Sequence, residues 1–189
     1  MLTLIKMEEK YRPLLNEMMD EWTAADEKII PYAIRKCDYH DFARYLDSLE
    51  VREDSTGRLV PDSTFFCLDT DRQKLVGAVN IRHRLNEGLL ATGGHIGDGV
   101  RPSERGKGYG TQMIALALDE CRKMGIDRVL MCCDRDNVAL ARTIQKTAAF
   151  WKTKLTMTAY LCSATGLSAK TKPQAFIRTH ECLRFLICR

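Results

Sequence analysis

At 189 residues, 45% of them hydrophobic and 29% charged, the chain can bury one sizeable core of α/β type. No apolar run reaches the ~18 residues of a membrane span, and the N-terminus lacks the charged-then-apolar layout of a signal peptide, so a soluble cytoplasmic protein is expected. The net charge of +4 comes from residues 148–189, where seven lysines and arginines face the single acid Glu181; the remainder is slightly acidic, which argues against a nucleic-acid binder.

Residues 2–6 read as a short strand, and 7–22 carry apolar residues at helical spacing despite Pro13. A second helix is expected over 38–49 and an exposed, turn-rich loop over 51–61. The aromatic and branched residues of 64–69 and 74–84, separated by a turn at 70–73, predict a hairpin. A third strand follows over 93–100, its glycines marking a bulge or a close approach to a ligand. An amphipathic helix spans 111–124 and stops at Gly125, a usual C-cap residue. The run RVLMCC, 128–133, is continuously apolar and predicts a buried strand; Asp136 or Asn137 then caps a helix reaching about Lys146. The eight cysteines are scattered and read as reduced, mostly buried thiols. Cys132 and Cys133 lack ligand spacing, and His180, Cys182 and Cys188 make at most part of a zinc site, so no metal is expected.

The segment VRPSERGKGYG, 100–110, carries the chemistry. Glycines leave backbone N–H groups uncovered, and a helix N-terminus adds roughly half a positive charge, so this loop can cradle a phosphate or pyrophosphate. A dinucleotide fold would place G-x-G-x-x-G in its first strand–helix unit, and a triphosphatase loop would need Gly-Lys-Ser/Thr, whereas Gly108 follows Lys107.

The Arg-x-x-Gly-x-Gly pattern of 105–110 sits between a strand and a long helix. With Val100 and Pro102 before it, and RVLMCC and DNVALARTIQK after it, it resembles the acyl-CoA signature of the GNAT superfamily of N-acetyltransferases. The resemblance covers residues 1–147. It implies an α+β, three-layer fold with a mixed, mainly antiparallel central sheet flanked by helices. It also implies acetyl-CoA as co-substrate and a primary amine of a small molecule or peptide as acceptor. By this resemblance the backbone from Arg105 through Gly106, Lys107, Gly108 and Tyr109 to Gly110 holds the pyrophosphate, with charge from Arg105 and Lys107. The pantetheine arm lies in a splay between strands 93–100 and 128–133, pairing with backbone at Asp98, Gly99 and Val100. Asn137 contacts the arm from the far side, besides capping its helix.

Direct attack by a neutral amine needs a backbone N–H on the thioester carbonyl and a group to take the ammonium proton. His95 and Asp98 are the candidate bases; their offset of three places them on opposite faces unless a bulge intervenes. The family's proton-donating tyrosine has no counterpart among Leu140, Arg142, Thr143 and Ile144. An acyl-CoA-binding protein with little or no transferase activity therefore stands as the alternative.

Residues 148–189 depart from the family's ending, which has a glycine-rich turn and two more strands. If 146–153 are encoded AAA ACG GCG GCA TTT TGG AAA AC, one added A in the first run turns them into Lys-Asn-Gly-Gly-Ile-Leu-Glu-Asn. With a matching choice of codons the same shift can turn 158–168 into Asp-Gly-Val-Phe-Val-Gln-Arg-Tyr-Trp-Ile-Glu, a turn and a strand of the family kind. The tail thus reads as an out-of-frame ending: basic, poorly ordered, with the closing hairpin altered or missing. An exposed sheet edge would then favour a homodimer or other self-association.

Overall fold

The computed structural model describes residues 1–52, 59–150, 154–162 and 180–188. The expected hairpin is its centre: β2 (Asp62–Asp69) and β3 (Lys74–Arg82) pair antiparallel, and β1 (Leu2–Ile5) and β4 (Ile96–Val100) flank them in the order β1-β2-β3-β4. The sheet is buried on both faces, which is why FFCL within β2 reads as a continuous apolar run rather than an alternation. Phe65 and Cys67 enter one core, and Phe66 and Leu68 enter the other.

The second core is closed by α1 (Arg12–Ala24) and α2 (Phe42–Ser48), through Leu15, Met18, Trp22 and Tyr45. Pro13 is no obstacle, because α1 begins at Arg12 and the ring sits in the first turn, where an N–H has no intrahelical acceptor. Asp41 caps α2, accepting the Arg44 N–H through its side chain. The first core is closed by α3 (Tyr109–Lys123) and α4 (Val138–Phe150), with Met113, Ile114, Ala117 and Ile144 fully buried. Several sequence boundaries move, and two of them bear on the glycine loop. The strand expected over 93–100 begins only at Ile96, because 89–93 form a π-helical turn ending at Gly94. The third helix starts two residues early, at Tyr109.

Beyond β4 lies a second sheet of order β5-β7-β6: β5 (Arg128–Asp134), β6 (Lys154–Cys162) and β7 (His180–Cys188), all antiparallel. Phe185 and Ile187 of β7 sit opposite Met131 and Val129 and complete the first core. The tail therefore carries two strands, so the departure of the closing hairpin is not a loss of its strands. Short-period alternation in KLTMTAYLC and the branched run of HECLRFLIC are enough to form them. The connecting residues 163–179 lie outside the described residues, as do 151–153 and positions 53–58 of the loop expected at 51–61.

Candidate active site

The chain leaves β4 through Arg101, which is only 1% exposed and tied to α1. Its Nε donates to Glu21 Oε2 at 2.7 Å, its Nη2 to Glu21 and to Glu17 Oε1 (3.1 Å), and its Nη1 to the Leu75 carbonyl at 3.2 Å. Glu21 also accepts the Ser103 N–H at 2.7 Å and the Ser103 hydroxyl at 3.0 Å. Burial pushes the Glu21 carboxyl upward, but Arg101 and Ser103 outweigh it and hold the group below the usual carboxylate range. Three residues on, Glu104 is buried at 2% exposure beneath Arg72, which grips it with two bonds of 3.0 and 2.6 Å, while Lys107 Nζ lies at 3.1 Å and Lys74 Nζ at 3.5 Å. These cations, Arg72 first, hold Glu104 at about 2. Tyr109 joins the same network, donating its hydroxyl to Asp69 at 3.2 Å and accepting Arg72 Nη1 at 2.9 Å. The loop is thus pinned before its glycines by buried ion pairs and after them by the Tyr109 hydroxyl.

Between the pins the backbone is bare. Gly106 and Gly108 hold φ of +75° and +85°, and a Cβ at either would meet nothing within 4 Å, so conformation alone requires glycine there. Gly108 precedes α3 and offers no side-chain cap; among the described residues the N–H groups of Tyr109, Gly110 and Thr111 have no acceptor. Three donors and the positive end of a fifteen-residue helix therefore face open space. The Arg105 side chain turns away from them: its Nε donates to the Val100 carbonyl at 3.0 Å and its Nη2 pairs with Glu27 at 2.7 Å.

The other half of the site is an open strand edge. Arg82 N donates to His95 O and Arg101 N to Val76 O, so the His95 carbonyl, Gly97, Gly99 and the Arg101 N–H face β3. Antiparallel alternation then directs the N–H and C=O groups of Ile96, Asp98 and Val100 toward β5. The two strands do not pair along this edge. They meet at one end only, where His95 N donates to the Leu130 carbonyl (2.7 Å) and Leu130 N donates to His95 Nδ1 (2.9 Å). Gly94, at φ +63°, permits this approach, since a Cβ there would stand 2.5 Å from the Leu130 oxygen. The gap opens from this join toward the glycine loop.

His95, half-buried, spends Nδ1 on that join, and burial together with nearby Arg82 holds its imidazole below the usual value. Asp98 shares a face with Ile96 and Val100, the face covered by α3 and α4. Burial pushes its carboxyl up to about 6. On β5, Cys133 is pushed up to about 11, by burial first and then by neighbouring negative charge, Asp98 included. Asn137 caps α4, its Oδ1 accepting the Leu140 N–H at 3.0 Å. Gly97 and Gly99 lie on the opposite face, against the segment after α1: a Cβ on Gly99 would stand 2.2 Å from the Ile30 carbonyl oxygen.

On that opposite face, beside β3, lies a cavity of about 390 Å³ reached past Arg82, Asp62 and Lys36. Neither His95 nor Asp98 lines it. Sequence reasoning brought the glycines, Asp98 and Asn137 to the β4–α3–α4 side but missed Arg101, Glu104, Arg72, Arg82 and Lys36. Glu17 and Glu21, on the first helix, are partners of Arg101. An arginine and an acid inside the 100–105 motif were the available signal, but their partners are far away in sequence. Among the described residues no cluster of three or more His, Cys, Asp or Glu could hold a metal, and no helix is long and apolar enough to cross a membrane.

The model of the acetyltransferase (GNAT) family matches residues 14–150. No curated protein matches the chain. Among solved structures, a chimera of the spermidine N-acetyltransferase SpeG from Vibrio cholerae and hSSAT is similar at 13% identity, covering 99% of this chain and 95% of that one, with a TM-score of 0.59. The microcin C7 self immunity acetyltransferase MccE, in complex with acetyl-CoA and AMP, is similar at 14% identity over 98% and 91% of the two chains, TM-score 0.60. RimL, a ribosomal-protein alpha-N acetyltransferase in complex with coenzyme A, gives 13% identity over 99% and 94%, TM-score 0.61. At these identities the likeness establishes the fold.

Proposed function

This chain belongs to the GNAT family of acetyltransferases, and from that premise we propose that it uses acetyl-CoA to acetylate a primary amine of a small molecule or peptide. The observation that carries the reading is the pairing of two unsatisfied backbone surfaces: the bare donors at the start of α3 and the unpaired edge of β4. A pyrophosphate fits the first, with Gly106 and Gly108 keeping side chains out of its way and Lys107 adding charge. An amide-bearing arm fits the second, pairing with Asp98 and Val100 much as a strand would; Asn137 stands across from it. The edge from Val100 to Ile96 is about 13 Å long at roughly 3.3 Å per residue, so an extended arm reaches the His95 join. Bound acetyl-CoA supplies an acetyl group activated as a thioester, whose C–S bond breaks as the amine nitrogen forms the new C–N bond.

The chain's own part is placement, polarisation and proton handling. The Asp98 and Val100 N–H groups are the donors available to a carbonyl in the gap. We assign His95 to positioning, since its Nδ1 holds the strands together, and proton transfer at the gap to Asp98, whose raised value suits it to exchange protons near neutrality. One observation favours the alternative of binding without efficient transfer: α4 carries no tyrosine over Val138–Phe150, and Thr143 spends its hydroxyl on the Ala139 carbonyl.

Calorimetric titration with acetyl-CoA of the protein and of Gly108→Val tests the cofactor site. A left-handed β-branched residue at Gly108 should weaken binding at least about tenfold; unchanged affinity in a folded variant rejects it. Thiol release over a panel of amines then separates transfer from binding alone.

A further inference from the structure

On the reading that this chain acetylates an amine, the geometry points to an acceptor that also carries an anionic oxyacid group, held between Lys36 and Arg82 in the cavity beside β3. The cavity, about 390 Å³, is the size of an amino acid-like molecule rather than of a peptide. Its apolar wall is built by Ala33, Val60 and Leu89, which suits a carbon skeleton. Its charged groups are two cations and one carboxylate, Asp62.

The pairing of those charges matters more than their number. Asp62 Oδ1 accepts the Val51 N–H at 3.0 Å, and the carboxylate makes no ion pair with either cation. Arg82 uses Nη1 on the Gly93 and Gly94 carbonyls, at 3.0 and 3.1 Å, and among the described residues its Nη2 has no acceptor. Lys36 is half-buried with no hydrogen-bond or ion-pair partner among the described residues, and burial pulls its ammonium below the usual value. Asp62 offsets part of the field of both cations, and with two partly desolvated cations to one carboxylate the cavity stays net positive, which favours an anion and repels a polycation. Arg82 Nη2 would also lie 3.1 Å from a Cβ on Gly97, so this cavity cation stands directly against β4. An anion held there leaves the amine end of the same molecule free to reach the strand edge where the acetyl group arrives.

The test is calorimetry on the full chain with coenzyme A present, using matched pairs that differ only in the anion: phenylalanine against phenethylamine, and phosphoethanolamine against ethanolamine. The first pair reads a carboxylate, the second a phosphate. In at least one pair the anionic member is expected to bind about tenfold tighter or better, the scale of a charge-assisted contact. Lys36→Met should collapse that preference below about threefold, and Lys36→Arg should retain it. Equal binding within both pairs, tighter binding of the anion-free members, no binding by any of the four, or a preference indifferent to Lys36→Met each overturns the inference. Failure of acetyl transfer is read separately, as absence of thiol release from bound acetyl-CoA with every amine, and leaves the affinity ratios to be judged alone.

Discussion

Replacing Glu104 by Gln removes the one negative charge on which Arg72, Lys74 and Lys107 converge. The side chain is 2% exposed, so its electrostatics are little screened on its own side, and its carboxyl falls from 4.5 to about 2 in the folded protein. At 1.36 kcal/mol per pKa unit, this corresponds to about 3 kcal/mol of stability from ionisation. The sign follows from the direction: a depressed folded pKa gives stability that is fully present above 4.5 and lost as pH falls toward 2. The stranded cations cost little, because Arg72 and Lys107 are 40% and 52% exposed and return to water, and a glutamine carbonyl still accepts one bond from Arg72. Glu104→Gln should therefore lower stability by about 2–3 kcal/mol at pH 7, roughly 4–12 °C in Tm for a domain of this size. The assay is urea or thermal unfolding of both proteins from pH 7 to pH 2. Glu21 is held by Arg101 and Ser103 rather than by Arg72 and titrates identically in both, so the difference reports Glu104 with its Arg72 network and should vanish near the acid end. A gap below about 1 kcal/mol at pH 7, or one independent of pH, refutes the assignment.

Asp98→Asn is expected to act in the opposite sense. Its folded pKa is raised from 3.8 to about 6, so ionisation opposes folding, and stability is lost as pH rises through that window. The variant should be more stable than the parent by about 1–3 kcal/mol at pH 8, equal to it near pH 3, and without any limb near pH 6 in its transfer rate; an unchanged pH–rate profile removes Asp98 from proton transfer. Sequencing the gene across the Lys146 codon tests the out-of-frame reading of the tail. It is expected to contain a run in which one added base yields Lys-Asn-Gly-Gly, and a sequence with no such route rejects it.

The two unsatisfied surfaces were unequally legible. Gly106, Gly108 and the helix after them announce the phosphate loop because a positive φ and an uncapped helix start are local demands that glycine answers wherever it stands. The open β4 edge leaves no such mark, since an unpaired N–H has the same side chain as a paired one. Only the join of His95 to Leu130, 35 residues apart, creates the gap and turns a candidate base into a strap.

By itself the sequence determined the local elements, the hairpin and a glycine loop suited to an anion, since period, branching and glycine act over a few residues. The tertiary structure alone decided which charges are spent and which are left. Arg101 and Glu104 lie two and five residues from Gly99 but are consumed by Glu21 on α1 and Arg72 beyond β2. Lys36 and Arg82 come from separate segments and share a single carboxylate, Asp62, in one cavity. Burial and pairing depend on distances between segments, and a linear sequence contains no such distances until the chain has packed.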